Sequence, residues 1–305
     1  LAARDRLCPM PETESMQTRE RTAPDGAAPV FADILCAIDG NDGDFGAVEQ
    51  AVALAGTHGR VTSLLVTSHR SGGAYRGPAI GPTRATELLE RVGGIAREAG
   101  VPYTHEVDPG SPPARVILDW SKRYELTALG APANSWPARL LSVGVGDRAI
   151  GGFSNALLVA RPLADDRRFG DHVVVASDGL ATSQELVDLA GRLAHSHGSS
   201  VTLVHALGRD PIKRGRLREQ ERTLQQQEQM LSSPRASGTT ELLIKPGRAA
   251  AVIVAAAAAA RASLVVMGSR RLDGLRAMGS VSRRVAHQAR CSVLLVPPDT
   301  LTHSA

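Results

Sequence analysis

ILCAIDG, residues 34–40, returns 139 residues later as VVVASDG, residues 173–179. Each is an apolar run that ends on Asp-Gly, the pattern of a buried strand entering a turn. Other landmarks keep nearly the same shift. The pairs His58-Gly59 and His197-Gly198 are 139 apart, Pro109-Gly110 and Pro246-Gly247 are 137 apart, and Gly130 stands 138 before Gly268. The runs ALLVARP, 156–162, and SVLLVPP, 292–298, are offset by 136. Landmarks held this close to one shift mark a duplication, with units over 31–165 and 170–305 and the polar linker ADDRRFG between them.

Within each unit, short Val, Leu and Ile runs alternate with helical patterns, which predicts βαβ units on a parallel sheet. In the second unit HVVVAS, SVTLVHA, TELLIK, SLVVMGS and CSVLLVP read as strands. Residues 183–197 and the alanine-dense 248–261 read as helices. In the first unit 46–57, 83–99 and 113–123 fill the same roles. The expected fold is α/β, with two tandem, doubly wound, Rossmann-like parallel sheets of five strands each. The segment IKRGRLREQERTLQQQEQM, 212–230, reads as an insertion. Leu217, Leu224 and Leu231 recur every seven residues and stripe one helix face, which predicts a helix packed on the second unit with its charged face in solvent. A partner-binding helix is the alternative.

Composition excludes several classes. No apolar stretch approaches the roughly 20 residues of a membrane-spanning helix. Residues 1–30 are polar and Pro-rich, the composition of a disordered tail, and carry charges where a secretion signal needs an apolar region. Three cysteines without a CxxC motif favour a reducing cytoplasm. A net charge of +4 calls for neither nucleic acid nor membrane as partner. There is no GxxxxGK[ST], no GxSxG and no HExxH, so the residues offer no P-loop, no nucleophile elbow and no zinc protease site. His195 and His197 are two apart and do not share a helix face, which reads as a solvated helix end rather than a metal site.

In open parallel sheets, ligands bind beyond the carboxyl ends of the strands, where the strand order reverses. Ala176-Ser177-Asp178 would stand at such an end, with Ala206 after the second strand and Met267-Gly268 after the fourth. The Asp178 carboxylate can accept hydrogen bonds from ribose hydroxyls. Gly268 lets the backbone approach a phosphate. Ser280 and Ser282 add hydroxyls to the free N–H groups of a helix start, and Arg271 adds positive charge. The same Asp and Gly residues also suit ordinary turns, and Ser280 an ordinary helix cap.

On these residues the second unit resembles a universal stress protein domain, and the whole chain resembles the tandem two-domain members of the actinobacterial type. The family's ATP-binding members carry G-x2-G-x9-G-[ST] between their last two strands and an Asp after the first. Gly268 matches the first glycine, Gly279 and Ser280 the closing pair, and Asp178 the aspartate. The same alignment puts Ala176, Ser177, Ala206, Met267, Val281 and Ser282 along the adenosine and phosphate site. Arg271 replaces the second glycine, and seven residues rather than nine separate it from Gly279. In the first unit Asp39 and Gly130 persist, but Ala133 takes the second glycine position and Val143-Gly144 stand where Gly-Ser would. The resemblance implies ATP, with or without Mg²⁺, bound mainly by the C-terminal unit, and a stress-response role exerted through an unknown protein partner. It also implies that the closing strands pair within one chain as a pseudo-dimer, with a homodimer as a further step. Two alternatives stay open: a ligand-free scaffold with vestigial pockets, and a slow ATP hydrolase as the enzyme option.

Overall fold

The computed structural model describes residues 29–40, 42–67, 80–110, 112–131, 153–163, 166–180, 183–208, 217–232, 238–269 and 280–298. The N-terminal half contributes β1 (Asp33–Ile38), α1 (Asp42–Ala55), β2 (Arg60–Val66), α2 (Pro82–Glu98), β3 (Tyr103–Asp108), α3 (Pro113–Ser121), β4 (Leu126–Gly130) and β5 (Ala156–Ala160). The C-terminal half follows with β6 (His172–Ala176), α4 (Gln184–His197), β7 (Ser200–Leu207), α5 (Leu217–Leu231), β8 (Thr240–Pro246), α6 (Ala249–Ala259), β9 (Leu264–Gly268), α7 (Ser280–Gln288) and β10 (Ser292–Val296).

The two expected five-stranded sheets are present, and they fuse into one of ten strands in the order β3-β2-β1-β4-β5-β10-β9-β6-β7-β8. Each half is parallel throughout, and the halves meet where β5 and β10 run antiparallel, with Leu158 opposite Leu294. Alternation along these two strands sends Leu158 and Leu294 to one face of the sheet and Leu157, Val159, Val293 and Leu295 to the other. The four leucines are at most 3% exposed. Each contributes on the order of 2 kcal/mol by its burial. The seam is therefore core, and both apolar layers run through it from one half into the other. Helices α1, α2, α4 and α5 cover the first face, and α3, α6 and α7 the second.

Sequence explains these placements. β1, β5, β6, β9 and β10 lie inside the sheet under helices on both faces and are nearly all apolar. The outer strands differ: β3 is exposed along most of its length, and β8 ends in Lys245 and Pro246. Charge and a missing N–H at an edge discourage pairing with another chain. Pro82 and Pro113 open α2 and α3, where the lost N–H has no helical partner to forfeit. α4 closes on Gly198 at φ 64°, with its N–H returned to Ala194.

Two sequence expectations need correction. The segment around Leu217–Leu231 is not an insertion. α5 joins β7 to β8 as α2 joins β2 to β3, so it is the second crossover helix of its half. It packs as expected, with Leu224 and Leu231 buried against α4 and the sheet. His197 is not at a solvated helix end either. Its ring meets Phe169 edge-on with centroids 5.8 Å apart, and the linker backbone at Gly170 lies directly over it. Burial pushes its imidazole below the ordinary range.

Candidate functional site

In the C-terminal half the chain winds outward through β6, β7 and β8, then returns to place β9 and β10 on the other side of β6. The strand order reverses between β6 and β9, whose carboxyl ends frame a crevice. Ala176 and Met267 are register partners across that line, and Gly268 follows at the rim. Ala206 lies one strand further out, on β7. Alternation puts Ala176, Val204 and Met267 on the second face, with Ala206 in step with Val204. α7 connects β9 to its parallel neighbour β10. A helix in a parallel crossover runs back along the strands, so its first turn lies at their carboxyl edge. There Val281 packs on the second-face core and Ser282 is buried. Arg271 and Gly279 lie outside the described residues, as does the side chain of Ser280.

The turn after β6 is tightly specified. Asp178 Oδ1 accepts from the Leu180 N–H at 3.1 Å and from the Ser183 hydroxyl at 2.7 Å. Ser177 Oγ donates to Gln227 Oε1 at 2.7 Å and accepts from the Gly179 N–H at 3.1 Å. His205 Nδ1 donates to the Ser177 carbonyl at 2.9 Å, which fixes the ring's tautomer. From α5, Gln220 Nε2 reaches the Asp178 carbonyl and Gln227 Nε2 the Leu180 carbonyl, each at 3.3 Å. Sequence reading saw the leucine stripe of α5 but missed these glutamines on the same face. Their signal was present: Gln220 and Gln227 are seven apart and flank Leu224, so burial of that leucine carries them inward.

The N-terminal crevice, between β1 and β4, is built differently. The Asp44 carboxylate accepts from the N–H groups of Asp39 and Gly40, both at 2.7 Å. Asp44 stands 139 residues before Ser183, so the shift seen in the sequence exchanges a hydroxyl donor for a carboxylate. Asp44 is 4% exposed. Burial first, and the Asp44 charge second, hold the neighbouring Cys36 thiol well above the ordinary thiol range. Gly130 keeps its motif position, but what approaches it is protein: a Cβ there would lie 2.5 Å from the Gly43 carbonyl oxygen. The first turn of α1 fills the space above β4. At Gly268, a Cβ would meet nothing within 4 Å among the described residues. Among the described residues, one motif glycine is packed shut and the other meets nothing.

Two doubly wound α/β units, each with its crevice at a strand-order reversal, define the class of a tandem doubly wound α/β protein. A sequence model of the universal stress protein family matches residues 31–161 and 170–297, and the chain belongs to that family. A universal stress protein from Archaeoglobus fulgidus superposes with a TM-score of 0.65 at 18% identity, over 87% of this chain and 98% of its own. A functionally unknown protein from Pseudomonas aeruginosa superposes with a TM-score of 0.64 at 15% identity, over 90% of this chain and 95% of its own. At such identities the likeness is one of fold. A universal stress protein in complex with cAMP matches 42% of this chain and 97% of its own, with 24% identity and a TM-score of 0.36. No curated protein matches the sequence. Among the described residues no helix is long and apolar enough to cross a membrane.

Proposed function

We propose that the C-terminal half binds an adenine nucleotide, ATP in the first instance, and that the chain acts in a stress response through a protein partner. The observation that carries this reading is the contrast between the two motif glycines: Gly130 is closed by α1, and Gly268 has no neighbour against its Cβ position among the described residues. In this reading Asp178 and Ala206 meet the ribose and base, and Ala176, Met267 and Val281 supply apolar walls. Gly268, Gly279, Ser280, Ser282 and Arg271 surround the phosphates, with or without Mg²⁺. Ser177 holds the turn that presents Asp178. The N-terminal half, with Asp39 and Asp44 at its crevice and Gly130 packed shut, fits the scaffold reading instead. Two carboxylates there oppose a polyphosphate. We assign no turnover: the sequence carries no P-loop lysine to position a phosphoryl transfer. The halves act as a pseudo-dimer joined at β5–β10, and further association into a homodimer is part of the proposal. Two buried free cysteines among the described residues suit a reducing cytoplasm.

The test is a melting curve with millimolar ATP, with and without Mg²⁺, against ADP and cAMP. A ligand at one hundred times its Kd stabilises by about 2.7 kcal/mol. At about 2–4 °C per kcal/mol this is a rise of roughly 5–10 °C. Gly268→Asp, which places a negative charge at the rim where no described residue approaches, should abolish the rise while leaving the ligand-free curve in place. A flat response to every purine nucleotide refutes the reading, and phosphate release above buffer background would move it to the hydrolase class.

A further inference from the structure

The seam between the halves carries a buried polar set as well as apolar packing. Arg161 directly follows β5 and is 4% exposed. Its guanidinium Nη2 donates to the Ala286 carbonyl at 3.0 Å, in the last turn of α7. Its backbone N–H donates to Ser292 Oγ at 2.9 Å, and its carbonyl accepts from Gln50 Nε2 at 2.8 Å. Ser292 Oγ in turn donates to Gln50 Oε1 at 2.6 Å. Gln50 is on α1 and Ser292 opens β10, and both are at most 2% exposed. The N-terminal half thus grips the start of β10 and the end of α7.

Among the described residues no matching arginine reaches back. The shift that aligns the closing strands sets Arg161 against Pro297, which has neither a side-chain donor nor an N–H. The half whose motif glycine is packed shut supplies a cation to the half proposed to bind the nucleotide. Carbonyls in the last turn of a helix carry the negative end of its dipole, so a guanidinium belongs there. For stability alone this is an expensive device, since a buried charge is often replaceable by apolar side chains of similar volume at no loss. α7 has nine residues and spans about 13 Å, so a hold at one end sets the position of the other.

We infer that Arg161 is a positioning residue for the C-terminal crevice: by holding the carboxyl end of α7 it fixes where the first turn, Ser280 to Ser282, faces the phosphates. The inference rests on the nucleotide reading above. The N-terminal half is then a part of the binding site that touches no ligand.

The experiment compares full-length Arg161→Met, Arg161→Gln and Arg161→Lys with the parent. ATP affinity is measured by calorimetry, and backbone hydrogen exchange by mass spectrometry without nucleotide. Arg161→Met should weaken ATP binding by about fivefold to tenfold, the scale of a partly buried charge at a helix terminus. Its ligand-free melting temperature should stay within about 2 °C. Arg161→Lys should recover most of the affinity. Exchange in Arg161→Met should quicken across Ser280–Gln288 and stay unchanged across α4. Parental affinity in Arg161→Met, or unaltered exchange across α7, overturns the inference. If Arg161→Met does not fold, Arg161→Gln takes its place in both measurements, and the same results support or overturn the inference. If the parent itself takes up no ATP, the nucleotide reading falls. The exchange comparison then still decides whether Arg161 holds α7.

Discussion

Gly130 and Gly268 occupy one position of the repeat, and replacing each by alanine should give opposite results. A Cβ at residue 130 would stand 2.5 Å from the Gly43 carbonyl oxygen, 2.6 Å from its carbon and 3.0 Å from the Asp44 nitrogen. Close carbon-to-oxygen contacts in proteins begin near about 3.3 Å. The first turn of α1 must therefore lift from β4 by nearly 1 Å, and no side chain can swing aside because all three atoms are backbone. Lifting it also stretches the bonds from Asp39 and Gly40 to the Asp44 carboxylate. Overpacking of this kind costs about 1–3 kcal/mol. At about 2–4 °C per kcal/mol, the melting temperature should fall by roughly 2–12 °C. At residue 268 a Cβ meets none of the described residues within 4 Å, and the change should stay within about 0.5 kcal/mol. Differential scanning calorimetry of the two variants reads both numbers. Hydrogen exchange should show the loss in Gly130→Ala centred on α1. Equal effects at the two positions, or a larger loss at 268, would refute the contrast drawn between the two motif glycines.

Two further outcomes follow from burial. The His197 imidazole is pushed below its ordinary range mainly by desolvation, and His172 is shifted the same way. Below about pH 6.5 the unfolded chain takes up protons that the folded chain refuses, so stability should fall as pH drops and be flat above neutrality. His197→Asn should flatten the decline in melting temperature between pH 7.5 and 5 without removing it, because His172 still contributes. An unchanged slope would show that His197 is solvated. The buried thiols give the other outcome. Burial holds the Cys36 thiol above the ordinary range and pushes Cys291 up to about 11. A thiol with a pKa near 11 is ionised to about one part in a thousand at pH 8. Peptide mapping after brief labelling should find both unmodified in the native protein and both modified in denaturant. Rapid native labelling of either would contradict its place in the core.

Much of the architecture was legible because the repeat and the strand runs are consequences of burial. A strand covered on both faces has no polar alternative, so VVVAS and SVLLV could hardly be read otherwise. The fusion at β5–β10 was legible only as a possibility, since two apolar strands can each find other partners. The content of the crevices was less accessible. Gly130 looked like a ligand-facing glycine because sequence shows that a backbone can be approached, not by what. The exchange of Ser183 for Asp44 stood in the same 139-residue shift, but its meaning depended on which amides the carboxylate would find. His197 was misread for a related reason: nothing in its spacing tells that Phe169 and Gly170 fold back over the helix end. The loop bearing Arg271 and Gly279 lies outside the described residues, so its part of the site stands as read from the sequence.

The antiparallel meeting of β5 and β10 inside a single chain changes what a substitution can do. Had two identical subunits met along this line, an aspartate at position 44 would have appeared in both clefts at once, and an arginine after the closing strand would have been answered by its own copy. Covalent fusion breaks that symmetry. Each side can diverge on its own, and the contact between them persists at any dilution, because closing it requires no encounter between molecules.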